Sequence, residues 1–444
     1  MRYVWLVALL GAGCSFDKGQ TAPSDGGGPG SDAPDAYIPD GAVQCSVIDS
    51  MCVGGSVLRS CLTVGLPPVD ETCPWGCLDL ATPHCGKLQP VGGAVTPADL
   101  DNDPLLTGTT LTAATVDGND GTITGGQRAS GTGVNNGIDY NVQNGVAVFR
   151  FSTLTISGAI KLRGPRPIAF VVTGALTINA LIDVQGDCMT KNAGPGGSAG
   201  GNAHSNGSGT GGGNAGTGSH NNATGGGGGG FGASGGGGGN GMSITGPSGG
   251  TTYGNLGMTL VGGSGGAGGG GGAGGVGGGG GGAFQIAANG TILFAATGGI
   301  NAGGCGGKAG ADGGGAGGSG GALLIEAPVV HLGTTAILAV NGGGGAGGNT
   351  GAGDGTAGLL SASQAPGGAK VNNASADGGP GGASGMVVGN NGGNDDNAGG
   401  GGGAVGWMRF ETLGGSLLLD TGAVLSPNLS ETNTSAVVNT ATVQ

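Results

Sequence analysis

Between Gly262 and Gly282 the chain reads GGSGGAGGGGGAGGVGGGGGG, two glycines in every three residues. Glycine brings no side chain to a core and loses more backbone freedom on folding than any other residue. A tract of this kind therefore cannot fold by burying side chains. Two outcomes remain open. One is a solvated, flexible loop, for which the period of three has no use. The other is close packing of extended three-residue turns of the polyproline-II type, glycine face against glycine face. The problem is general to the chain, because 120 of its 444 residues are glycine. A collagen triple helix is excluded, since the strict G-X-Y pattern rich in proline is missing.

The tracts alternate with short apolar runs of a different grammar. Five segments begin at Val146, Pro167, Ala283, Ala322 and Ala404, and each contains three short alternating strands separated by tight corners. In the second, Ile168, Phe170 and Val172 alternate, then Leu176 and Ile178, then Ile182 and Val184. Thr177, Asn179, Asp183 and Gln185 point the other way, as a period of two requires. In the third, Phe284 and Ile286, Ile292 and Phe294, then Ile300 and Ala302 repeat the scheme. About twenty residues with three strands is the size of one coil of a parallel β-helix. The expected fold is therefore all-β, a parallel β-helix-like solenoid over residues 146–426 preceded by a small disulfide-rich module. An antiparallel sandwich is the alternative. The Gly-rich stretches 187–282, 303–321 and 342–403 each leave after the end of a coil, so they are expected to emerge from one corner as insertions. Their order, as polyglycine-II-like helices or as loops, stays open.

The N-terminal end speaks of export. MRYVWLVALLGAGC has one basic residue, a short apolar run and then small residues before Cys14, the layout of a secretory signal too short to span a bilayer. Residues 1–13 are read as a lipoprotein signal peptide and Cys14 as the lipidation site, with Ser15 fitting sorting to the outer membrane. Gly11 stands where leucine is usual. Residues 14–44, rich in Asp, Pro, Gly and Ser, form a tether. Six cysteines follow within residues 45–86: Cys45, Cys52, Cys61, Cys73, Cys77 and Cys85. So small a module cannot hold itself with an apolar core, and behind an export signal the set reads as three disulfides with fifteen possible connectivities. Cys188 and Cys305, both just after strand segments, are candidates to pair with each other. Residues 87–145 are a Thr/Gly/Asp-rich lead-in that could hold the first coils, and 427–444 a polar tail.

Chemistry-bearing clusters are scarce. The chain carries a net charge of −13 with only 13 Lys and Arg and shows no basic stripe, which argues against nucleic acid as a partner. Asp99, Asp101 and Asp103 alternate as calcium ligands can, yet no glycine sits at the sixth position and no Glu closes the loop. A solvated acidic linker is the expectation. His84, His204, His220 and His331 stand apart, without ligand or triad spacing. Arg163 and Arg166 lie near one carboxylate of the adjoining coil, Asp183, while Glu326 and Glu411 are isolated. The tripeptides NTD, GHG and RIK that mark pectin-hydrolase-like β-helices do not occur. No catalytic residue, metal or cofactor is expected. Trp407, beside Phe410, is expected in the core or as an end cap rather than as a sugar platform.

The segments RGPRPIAFVV (Arg163 to Val172), ALTINALIDVQG (Ala175 to Gly186), INAGG (Ile300 to Gly304), GGALLIEAP (Gly320 to Pro328) and GGGGGAVGWMRFET (Gly399 to Thr412), in that order, resemble the glycine-rich surface lipoproteins common in myxobacteria. The resemblance covers nearly the whole chain, with the lipobox-like Cys14, the tether and the cysteine module. It implies export and repetitive β architecture but no established activity. The resulting expectation is a non-enzymatic protein of the outer membrane or cell surface, lipid-anchored, with a structural or adhesive role. The alternative is a carbohydrate-binding or degenerate polysaccharide-lyase-like protein. The expected partners are the membrane, through the anchor, and extracellular polysaccharide or other cells.

Overall fold

The structure is a computed structural model that describes residues 44–254, 259–430 and 435–444. The signal segment, Cys14 and the tether before Gln44 lie outside the described residues. The protein is all-β, its only helical element among the described residues being the 3-10 turn Pro97–Leu100.

Most strands belong to three sheets, one of eight strands and two of six. The chain visits them in a fixed rotation. Val146–Phe151 enters the first sheet, Leu154–Ile156 the second and Ile160–Arg163 the third, and the next rounds begin at Ile168–Val172, Ala283–Ala288, Ala322–Ala327 and Trp407–Thr412. Strands of successive rounds pair in parallel, with like positions in register: Ile168 opposite Phe284, Leu176 opposite Ile292, Ile182 opposite Ile300. Parallel pairing excludes the antiparallel sandwich. The residues that alternate inward form one apolar column, including Phe170, Ile178, Ile182, Phe284, Phe294 and Phe410. Phe149, Phe170 and Phe284 stack through it edge to face, with centroids 5.9 and 5.0 Å apart.

The lead-in and the tail both take part. Thr109–Leu111 and Thr115–Asp117 extend the second and third sheets ahead of the first full round. At that end Arg128 is buried and donates to the carbonyls of Gly121, Ala129, Gly131, Gly133 and Ile138. Residues 427–444, read from sequence as a polar tail, contain the strand Ala436–Thr440, which pairs in parallel with Trp407–Thr412. The chain then turns back, and Lys87 and Gln444 exchange backbone hydrogen bonds.

The first sheet is covered on both faces. Its outer residues Val148, Val171, Ala287 and Leu324 pack against Trp75, Leu88, Ala94, Val95 and Leu100, and against Phe231 and Leu260 from the first insertion. Burial on both faces explains why AFQIAA and ALLIEA read as continuous apolar runs rather than alternating ones. Residues 88–98 thus form a strap that joins the cysteine module to the body. That module holds the disulfides Cys45–Cys61, Cys52–Cys77 and Cys73–Cys85 around a three-stranded antiparallel sheet, and Cys188 is bonded to Cys305.

Candidate functional site

The glycine tracts are ordered, which answers the question left open by their period. From Gly262 to Gly282 the chain runs out and back as a hairpin that turns at residues 271–273. Every third N–H on the outgoing arm points to the same neighbour: Gly263, Gly266 and Gly269 donate to Gly281, Gly278 and Gly275. The intervening positions serve two other neighbours, Ala267 and Gly270 donating to Gly227 and Thr224, Gly265 and Gly268 to Ser208 and Ser205. An extended chain with three residues per turn offers its amides in three directions, so one tract can bond to three others. Glycine is required at the packed positions, where no room exists for more. A Cβ on Gly266 would collide with the carbonyls of Ala316 and Gly317, and one on Gly280 with Gly263.

The three insertions lock together. Gly226 of the first donates to Gly314 of the second, Gly314 to Ala398 of the third, and Ala398 back to Ala223, at 2.9–3.0 Å. The next row repeats this through Gly229, Gly317, Gly401 and Gly226. Such a closed cycle satisfies buried backbone groups without any side chain. Cys188–Cys305 adds a covalent tie between the segments that leave after the second and third rounds.

At one end of this slab three tips converge on a fourth at Asp312, which is buried. His220 Nδ1 lies 2.8 Å from Asp312 Oδ1, the Ala273 amide donates to Oδ2 at 2.9 Å, and the Asn349 amide donates to the Asp312 carbonyl. Burial acts to raise the Asp312 carboxyl, but the Ala273 amide and then His220 outweigh it and hold it below the ordinary carboxylate value. His204, at a left-handed backbone position with φ 58°, adds a further favourable charge effect.

Elsewhere the surface carries an open groove of about 560 Å³, lined by uncharged residues that include Ser198, Thr210, Tyr253 and Thr259. Tyr253 donates to the Gly262 carbonyl and accepts from Ser264, and burial pushes its phenol up to about 12. Trp407 is half-buried and donates to the Tyr253 carbonyl.

The remaining residues singled out from sequence are dispersed. Asp99 accepts from Thr96 and Gln143, Asp101 pairs with Lys87 at 2.6 Å, and Asp103 accepts from the Leu105 amide near Arg150. The three carboxylates thus serve three different partners. Asp183 pairs with Lys161 at 2.7 Å, whereas Arg163 meets Asp117 and Arg166 meets Asn119. His84 bonds to the Thr82 carbonyl, and His331 lies 3.0 Å from Asp420. Among the described residues no group of three or more His, Cys, Asp or Glu is placed to hold a metal ion.

Two associations escaped the sequence reading. His220 and Asp312 are 92 residues apart and meet only through the packing of glycine tracts. Glu326 and Glu411, taken as isolated, are register partners on adjacent strands of the first sheet. Their signal was present, since each is the fifth residue of its strand in ALLIEA and WMRFET. The chain matches no protein-family model, no curated protein and no solved structure.

Proposed function

We propose that this chain is an exported, lipid-anchored surface protein of structural or adhesive role, in which a parallel β-helix carries a slab of polyglycine-II helices and presents its tips. The observation that supports this most is the convergence of His220, Ala273, Asp312 and Asn349 at the end of a slab whose every tract is hydrogen-bonded to neighbours. Loops are stiff only when their bases are, and binding loops are usually set on a rigid scaffold. The rotation through three sheets, with successive rounds paired in parallel, supports a parallel β-helix, and insertions leaving from one corner suit a repeat body of that kind. Four disulfides fit an oxidising compartment outside the cytoplasm. Several charged residues sit in separate structural pairs, as Asp101 with Lys87 and Asp183 with Lys161, which suits display.

The test has two arms. Cys14→Ser should move the protein from the membrane fraction to the soluble exported fraction, because the acyl chains on that residue would be what anchors it. Retention in the membrane overturns the lipid anchor. On intact cells, replacing the tip residues His220 and Asn349 with Ala should reduce adhesion while leaving the surface amount unchanged. Unaltered adhesion overturns the adhesive role. A second reading, carbohydrate binding, rests on the uncharged, hydroxyl-bearing groove at Tyr253, and a glycan array with Thr210→Trp as a blocked control separates it from tip-borne adhesion.

A further inference from the structure

The outer face of the first sheet carries polar side chains in the middle of an apolar interface. Gln285 and Glu326 are both fully buried there, beneath the strap at Val91. The Val91 amide donates to Glu326 Oε1 at 2.8 Å, and Gln285 Nε2 donates both to Glu326 Oε2 at 2.6 Å and to the Val91 carbonyl at 3.0 Å. One carboxyl and one amide therefore pin the strap at a single residue. The strap lies hard against them: a Cβ on Gly92 would come within 3.2 Å of Gln285 Oε1 and 2.9 Å of Leu324 Cδ2. Beside Glu326, Glu411 accepts from Arg409 and from Asn439.

The charged groups facing Glu326 are few. Residues 88–98 of the strap contain no ionisable side chain, and neither do the neighbouring strands Ala283–Ala288 and Ala436–Thr440. Trp407–Thr412 supplies Glu411 and Arg409, of opposite sign. Lys87 and Asp101 flank the strap but pair with each other at the surface.

We propose that Glu326 is a pH-operated clasp: with its carboxyl neutral the strap stays seated on the first sheet, and loss of that proton lifts the strap at residues 89–93 and loosens the join between cysteine module and body. The chemistry is that of a charge created where water does not reach, beside neutral donors too few to solvate it. Burial pushes the carboxyl up to about 8; the Val91 amide and Gln285 act against that, Glu411 adds to it and Arg409 opposes it. When the strap lifts, the group regains its ordinary value near 4.5. An acid whose seated value is raised holds fully below the ordinary value, and its hold is lost as pH rises through about 8.

Hydrogen exchange of the mature full-length protein, followed by mass spectrometry between pH 5 and 9 and corrected for intrinsic exchange, reads the clasp directly. Opening of the peptide covering residues 88–98 should rise by up to about tenfold per pH unit and level off near the upper end of the range. Glu326→Gln should flatten that rise, while Ile168–Val172 stays protected in both proteins. A wild-type strap whose opening is independent of pH overturns the proposal, as does a rise that persists in Glu326→Gln. Glu411→Gln guards against a folding defect in the first variant: removing the like charge should move the levelling point to lower pH. A rise abolished by Glu411→Gln but kept in Glu326→Gln would assign the titration to Glu411 and overturn the clasp.

Discussion

At the scale of single residues, the glycines of the slab are not equivalent. Gly266 faces carbonyl oxygens of a neighbouring tract, while Gly272, at the hairpin turn, has open space where a Cβ would stand. Gly266→Ala should therefore cost about 1–3 kcal/mol, the usual range for overpacking, because the obstructing atoms are backbone and cannot rotate away. Gly272→Ala should be neutral or stabilise by up to about 1 kcal/mol through the unfolded chain. Thermal unfolding of the two variants side by side distinguishes these outcomes. Equal melting temperatures would mean that the tract is not packed as described. The same contrast shows why composition cannot locate the constraint: both residues sit in GG pairs of the same tract.

At the scale of elements, the strands were legible and the glycine tracts were not, for one physical reason. Ile168, Phe170 and Val172 advertise an inward face through their period of two, and the sheet pairs them with Phe284, Ile286 and Ala288. A glycine amide advertises nothing, so the partner of Gly226, 88 residues on at Gly314, leaves no mark in the sequence. The continuous runs AFQIAA and ALLIEA mark the first sheet as buried on both faces, but what covers its second face was hidden likewise, since Trp75 and Leu88 lie in segments without strand periodicity. Cys188 and Cys305 were the exception, because a disulfide partner can be sought by residue type. Their bond closes a loop with a sequence separation of 117. Removing it by a Cys188→Ser, Cys305→Ser double substitution should cost about 2–5 kcal/mol, less where the unfolded chain keeps structure. Differential scanning calorimetry measures the loss. A variant that melts with the wild type would show that the hydrogen-bonded slab alone holds these segments.

At the scale of the whole molecule, two sources of stability stand side by side. The body rests on a continuous apolar column, whereas residues 45–86 bury only Cys45, Cys73 and Trp75 among their hydrophobic side chains and depend on three disulfides. Mild reduction should release the thiols of that module first, while Cys305, fully buried, stays bonded and the β-sheet signal of the body persists. Thiol labelling followed by peptide mapping gives the order; simultaneous release from all four bonds would contradict it. The closed cycle of insertions carries a different consequence, one of timing. Its rows need Ala223 to Gly229, Gly314 to Gly317 and Ala398 to Gly401 together, and the last of these is made long after the first. A chain growing or threading from its N-terminus therefore holds part of the first insertion unanswered until that part of the chain arrives, among them the carbonyls of Ala223 and Gly226 and the amide of Gly232. Nascent chains ending before Ala398 should stay open to protease across residues 223–232, and those ending beyond Gly406 should close. The slab is thus complete only once its third insertion has been made.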